Sequence, residues 1–249
     1  MPKMGVIYLT QKQFDSMKVK KYDNFDNPKI WISEGTLYKK DDSDLLKRYK
    51  KDFELFRELE ELKNCVFPEN MFLVDGKYKG YTTEYFEDYK SINFRMYKNK
   101  YSINDKKKIM KKIVKLLRKL NEYDIVHADL NTSNIICNSK DVKLIDFDRI
   151  KIKEYEDNII YNWRLNDQIY FLNIALLTVL FDVDLININT NSFYELVNGI
   201  NFSKEFKQYL FNCLNHKETQ ISKELLKYID SIKRCDIVKG KEMIKTLKI

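Results

Sequence analysis

The hydrophobic pattern changes period once along this chain, and that change limits what it can fold into. Up to about residue 86 the apolar residues come in short runs of strand character. Residues 6–9 are a brief apolar run, and residues 29–33 (Lys-Ile-Trp-Ile-Ser) alternate. Residues 36–39, 71–74 and 78–85 read as further strands, with Glu34-Gly35 and Asp75-Gly76 as turns. One helix interrupts them over residues 45–64, where Leu46, Phe53, Phe56, Leu59 and Leu62 recur at close to helical spacing and residues 41–44 supply a cap. Beyond residue 86 the helical period takes over. Asn104 is placed to cap a helix with Ile109, Ile113, Leu116, Leu117 and Leu120 on one face. Further helices are predicted over 166–181, 192–197, 203–215 and 222–232, and short strands over 135–137 and 142–145 flank a turn at 138–141. The expectation is an α+β chain: a single domain over 1–249, with a β-rich lobe (1–86) holding one main helix and a mostly helical lobe (87–249).

Composition narrows the class. With 44% hydrophobic and 14% aromatic residues the chain can bury a substantial core, and 33% charged residues suit a soluble protein. The longest apolar stretch, 169–181, is too short to span a bilayer and is interrupted by Asn173. The N-terminus has no signal-peptide layout. Four scattered cysteines and two histidines disfavour a cysteine- or histidine-based zinc site, and the thiols fit a reducing cytoplasm. The net charge of +8 favours an anionic partner such as a nucleotide, a phosphorylated small molecule, RNA or an acidic protein. A solvated lysine-rich surface is the plainer account of any one lysine cluster.

The chemistry-bearing residues stand close together in sequence. His127-Ala-Asp129-Leu-Asn-Thr-Ser-Asn134 is followed, twelve residues after Asn134, by Asp146 in the run Val142-Lys-Leu-Ile-Asp146-Phe147. Taken alone, Asp129 to Asn134 could be an Asx-rich turn. Together the two patterns, H-x-D-L-x-x-x-N and then L-I-D-F, resemble the catalytic loop and metal-binding motif of the protein-kinase-like superfamily.

That resemblance implies a bilobal fold and Mg²⁺-dependent transfer of the γ-phosphoryl group of ATP to a hydroxyl. It makes Asp129 the carboxylate that orients or deprotonates the acceptor, and Asn134 and Asp146 the Mg²⁺ ligands. It gives Lys39 the ATP phosphates, with Lys40 as the alternative, and pairs that lysine with Glu58, for which Glu54 and Glu61 compete. Residues 83–86, including Glu84 and Phe86, resemble the hinge that binds adenine. Asp167 resembles the anchor at the start of the central helix of the second lobe, and His127 a structural member of the loop. The likeness spans about residues 25–232.

The departures carry information too. No G-x-G-x-x-G precedes Lys39, and residues 21–28 occupy that place. Ala128 stands where protein kinases often have Arg. Asp148 replaces the Gly that usually follows Asp-Phe, as in small-molecule and lipopolysaccharide kinase-like members. It is open to a second metal or to a salt bridge with Arg149 or a nearby lysine. Only twenty residues separate Asp146 from Asp167, with no A-P-E between them, which leaves little room for a peptide-docking platform. The shortness of the second lobe nevertheless tilts the expected acceptor towards protein Ser/Thr, including autophosphorylation. The alternatives are a small-molecule kinase, a pseudokinase interaction module, and a kinase working on or with RNA.

Overall fold

The computed structural model describes residues 3–19, 30–41, 48–93, 101–138 and 140–248. The chain divides into two compact units: Met1–Asp88 with Ile145–Arg149, and Tyr89–Leu144 with Ile150–Ile249.

The first unit is built on a six-stranded sheet. Its strands are β1 (Gly5–Leu9), β2 (Lys18–Val19), β3 (Ile30–Ser33), β4 (Thr36–Lys40), β5 (Asn70–Val74) and β6 (Lys77–Glu84), in the order β1-β5-β6-β4-β3-β2. β1 runs parallel to β5, and the other pairs are antiparallel. Both predicted hairpin turns form, with positive φ at Glu34 and Gly35 and at Asp75 and Gly76. That geometry matches the twist of the strands it joins. Phe14, from the short helix α1 (Gln11–Asp15), packs with Trp31, Tyr38, Phe72 and Val74 into one core cluster. A second aromatic group joins Phe53, Phe56, Phe67 and Phe147, with the Phe67 and Phe147 rings 4.5 Å apart.

The main helix of this unit, α2 (Lys50–Phe56), is shorter than the 45–64 expected; residues 42–47 lie outside the described residues. Its end is set by Arg57, whose side chain donates to the carbonyls of Phe53 and Glu69. Leu59 is then extended, and Leu62 is buried from a separate 3₁₀ turn, Glu60–Leu62. Among the described residues a short α-helix and a separate 3₁₀ turn bury Phe53, Phe56 and Leu62, in place of one long helix.

The second unit is mostly helical. Helix α3 (Ile103–Glu122) buries Ile109, Ile113, Leu116, Leu117 and Leu120 as expected. Its cap is Ser102, whose side chain accepts from the Asp105 N–H, and not Asn104. Strands β8 (Ile125–His127) and β11 (Ile150–Ile152) form an antiparallel pair, and β7 (Lys90–Ser91), β9 (Ile135–Cys137) and β10 (Val142–Leu144) form a small sheet. Helix α4 (Asn158–Phe181) is capped by Asp157 and begins eight residues before the apolar pattern does. Its first turns leave Ile159, Ile160 and Trp163 exposed, so they carry no amphipathic signature. It is followed by α5 (Thr190–Gly199), α6 (Lys204–Leu214), α7 (Leu225–Ser231) and α8 (Arg234–Leu247), of which α6 and α8 pack against it. The sequence pattern did not foresee α8. Among the described residues no helix is long and apolar enough to cross a membrane.

Candidate active site

The candidate residues fall into two sets, one in each unit. In the first unit, strand alternation turns Tyr38 into the aromatic core, so Lys39 points from the opposite face. Lys39 lies directly across from Tyr81 of β6, its Nζ 6.0 Å from the ring centroid. Its ammonium pairs with Asp146 and, at 2.8 Å, with Asp148 Oδ2. Burial alone would lower the Lys39 pKa, but the two carboxylates outweigh it and hold the group above its ordinary value. Asp148 is pushed up to about 6, by burial first and then by the Asp146 carboxylate, against the pull of Lys39. Asp146 has φ 69°, left-handed backbone that Asp tolerates better than most residues. Phe147, buried against Phe67, pins the chain next to it. The Tyr81 hydroxyl is buried without a hydrogen-bond partner among the described residues, and burial and the nearby Asp148 and Asp146 drive its pKa well up.

Gly80 makes this arrangement possible. A Cβ there would lie 2.0 Å from the Lys39 carbonyl oxygen and 2.9 Å from the Phe72 ring. β4 and β6 can approach this closely only with glycine at that position.

The residue expected as the helix partner of Lys39 lies past the end of the helix. α2 ends at Phe56, so Glu58 sits on the turn beyond it and is exposed. The ionic partners of Lys39 are Asp146 and Asp148. Of the competitors, Glu54 accepts from the Met4 N–H at 2.7 Å, and Glu61 is exposed. Asp148, left open between a metal and a salt bridge, bonds to a lysine 109 positions earlier in sequence. Nothing in the local pattern around either residue gives that pairing. Glu84 ends β6, opposite Thr36, and is exposed; Phe86 follows, half-buried. Between them the Tyr85 N–H donates to the Gly35 carbonyl at 2.9 Å. Residues 21–28 lie outside the described residues.

In the second unit, the turn from β8 to β9 carries Asp129 and Asn134. The Asp129 carbonyl accepts from Asn134 Nδ2 at 2.8 Å and from Asn131 Nδ2 at 3.1 Å. Asn131 Oδ1 in turn accepts from the N–H groups of Ser133 and Asn134. With its amide NH₂ engaged, Asn134 has Oδ1 as the atom that could serve a cation. The buried His127 N–H donates to Gln168 Oε1 at 2.7 Å, and Gln168 Nε2 donates to Asn121 Oδ1 at 3.0 Å. The loop anchor is therefore Gln168 and not Asp167, which lies in mid-helix 3.6 Å from Arg164. α4 begins eight residues before the apolar pattern, which puts Asp167 inside the helix and not at its start. Thr132, also buried, donates to Asp184 at 3.2 Å. Asn131 stands at a variable position of the motif, but an Asx two residues before a turn is a signal readable in sequence.

Among the described residues no group of three or more His, Cys, Asp or Glu is poised around a metal position. Mg²⁺ asks for less, since one or two protein carboxylates suffice beside phosphate oxygens. The Asp146 carboxylate, beside the Lys39 ammonium, is an oxygen donor of the kind that suits a hard cation.

A sequence model of the Lipopolysaccharide kinase (Kdo/WaaP) family matches residues 47–162, just under half of the chain. The match contains the 127–134 loop and the Asp146 motif. No curated protein matches. Among many solved structures that do match is one described as the crystal structure of Rad53 kinase domain and SCD2. It aligns with a TM-score of 0.56 at 14% identity, over 94% of this chain and 97% of that one. The likeness shows the protein-kinase fold, a β-rich unit and a helical unit in the expected order along the chain.

Proposed function

We propose that this chain, a member of the protein-kinase-like superfamily and an ATP-dependent kinase, transfers the γ-phosphoryl group of ATP to a hydroxyl of a small, saccharide-like acceptor. The observation that carries the phosphotransfer reading is the ion pair of Lys39 on β4 with Asp146, the latter in left-handed backbone. A strand-borne ammonium beside the motif carboxylate is the pairing that binding a polyphosphate calls for.

Each residue has a role on this reading. Lys39 binds phosphate oxygens. Asp146 and Asn134 are the proposed oxygen donors for Mg²⁺, which when bound neutralises phosphate charge. Asp129 orients the acceptor hydroxyl and takes its proton. Asn131 and Gln168 hold the loop that carries Asp129. The segment at Glu84 and Phe86 is the proposed adenine contact. A cytoplasmic location belongs to the same proposal, supported by the free thiols of Cys65, Cys137, Cys213 and Cys235.

A protein Ser/Thr acceptor, favoured on sequence alone, draws no support from the comparisons. Two observations favour a small molecule. The matching family is described by its action on lipopolysaccharide. The chain between Asp146 and α4 is also fully committed, to the 3₁₀ turns Phe147–Arg149 and Lys153–Tyr155 and to β11 paired with β8. Little is left over to dock a peptide. The test is transfer of γ-labelled phosphate to a panel of lipopolysaccharide-derived saccharides, simple sugars, aminoalcohols and Ser/Thr peptides. Label on a saccharide supports the proposal. Label confined to peptides or to the protein itself would return the acceptor to protein.

A further inference from the structure

We infer that Asp148, in place of a helix glutamate, is the positioning residue that holds Lys39 for the phosphates of ATP. This rests on the phosphotransfer reading of the same site. A lysine that must meet phosphate needs a carboxylate to fix its chain, and that carboxylate must stay with it when a cation binds. Asp146 is the proposed donor to the cation, so it is not available for both tasks. Glu58, the other candidate, lies beyond the end of α2 on an exposed turn.

Asp148 meets the requirement. Its Oδ2 is 2.8 Å from Lys39 Nζ, and the two side chains are 20% and 16% exposed. A pair this sheltered is weakly screened, unlike an ordinary surface ion pair. Both ends are rigidly mounted. Lys39 stands on β4, between β3 and β6 in the sheet. Asp148 rides on the turn Phe147–Arg149, whose Phe147 is 1% exposed and packs on Phe67. The Tyr81 ring lies across from Lys39 and limits where its chain can go. Asp-Phe-Asp thus supplies two carboxylates with separate duties, Asp146 for the cation and Asp148 for the lysine.

The test compares Asp148→Asn, Asp148→Glu and Glu58→Gln by kcat and by KM for ATP, alongside thermal unfolding of Lys39→Met, Asp148→Asn and the double variant. Loss of a sheltered charge partner should raise KM for ATP about tenfold in Asp148→Asn, with a smaller change in kcat. Asp148→Glu should recover most of the loss, and Glu58→Gln should shift KM less than Asp148→Asn does. An equal or larger KM effect from Glu58→Gln would overturn the inference. So would a fall in kcat that excess Mg²⁺ repairs with KM for ATP unmoved, since that would make Asp148 a metal ligand. If the wild type is inert the kinase reading fails by itself, and the unfolding cycle still judges the pair. Non-additive Tm losses support Asp148 as the holder of Lys39, and additive losses overturn it.

Discussion

The Asp146–Phe147–Asp148 tripeptide concentrates the chemistry of the first unit in three residues. Asp146 accepts an unfavourable backbone, Phe147 fills the core that enforces it, and Asp148 shares the lysine. A consequence for pH follows. The Asp148 carboxyl lies at about 6 against an ordinary value of 3.8. Between those values the folded protein holds a proton that the unfolded chain has released. This contribution to stability is complete below about pH 4 and is lost as pH rises through about 6, amounting to no more than about 3 kcal/mol. Asp148→Asn should flatten that part of the stability–pH curve in urea titrations; an unchanged curve would assign the dependence elsewhere. Lys39→Met should lower kcat/KM for ATP by about a hundredfold or more while leaving the far-ultraviolet circular dichroism unaltered.

At the scale of elements, two positions decide whether the site is assembled. Gly80→Ala forces a methyl group towards the Lys39 carbonyl and should cost about 2–3 kcal/mol, read as a lower urea midpoint. Gln168→Ala strands the buried His127 N–H and should cost about 1–3 kcal/mol. Because it loosens the loop bearing Asp129, its activity loss should exceed its loss of folded protein, and Gln168→Glu should restore part of both. The strands were legible because period-two runs were bounded by Glu34-Gly35 and Asp75-Gly76, whose residues suit the turns they form. Helix α3 was legible through its single apolar face. Helix α8 was not, because the residues it buries are Asp236, Gly240 and Ile244. Gly240 packs on the Phe181 ring, a contact made by having no side chain and therefore silent in any hydrophobic count. The start of α4 was hidden by exposed Ile159, Ile160 and Trp163. Within the candidate site, motif spacing is what makes Asp129, Asn134 and Asp146 candidates. The ion pairs of Lys39 with Asp146 and Asp148 were not legible, because they join residues more than a hundred positions apart in sequence.

At the scale of the whole molecule, the +8 charge bears on which acceptors the protein meets. It favours anionic, phosphorylated saccharides over neutral ones. KM for such an acceptor should rise steeply between about 50 and 200 mM salt while KM for a neutral sugar stays nearly flat. RNA, the other anionic partner raised by the charge, should bind weakly and with equal salt sensitivity across sequences. The measurement that bears most directly on the central claim is ATP turnover by the purified protein with Mg²⁺ and a saccharide acceptor, run beside Asp146→Asn and Asp129→Ala. The account predicts acceptor-dependent phosphoryl transfer that falls by about a hundredfold or more in each variant, with both variants remaining folded. Turnover that survives in Asp146→Asn, or a wild type that neither turns over ATP nor is stabilised by it, would contradict it.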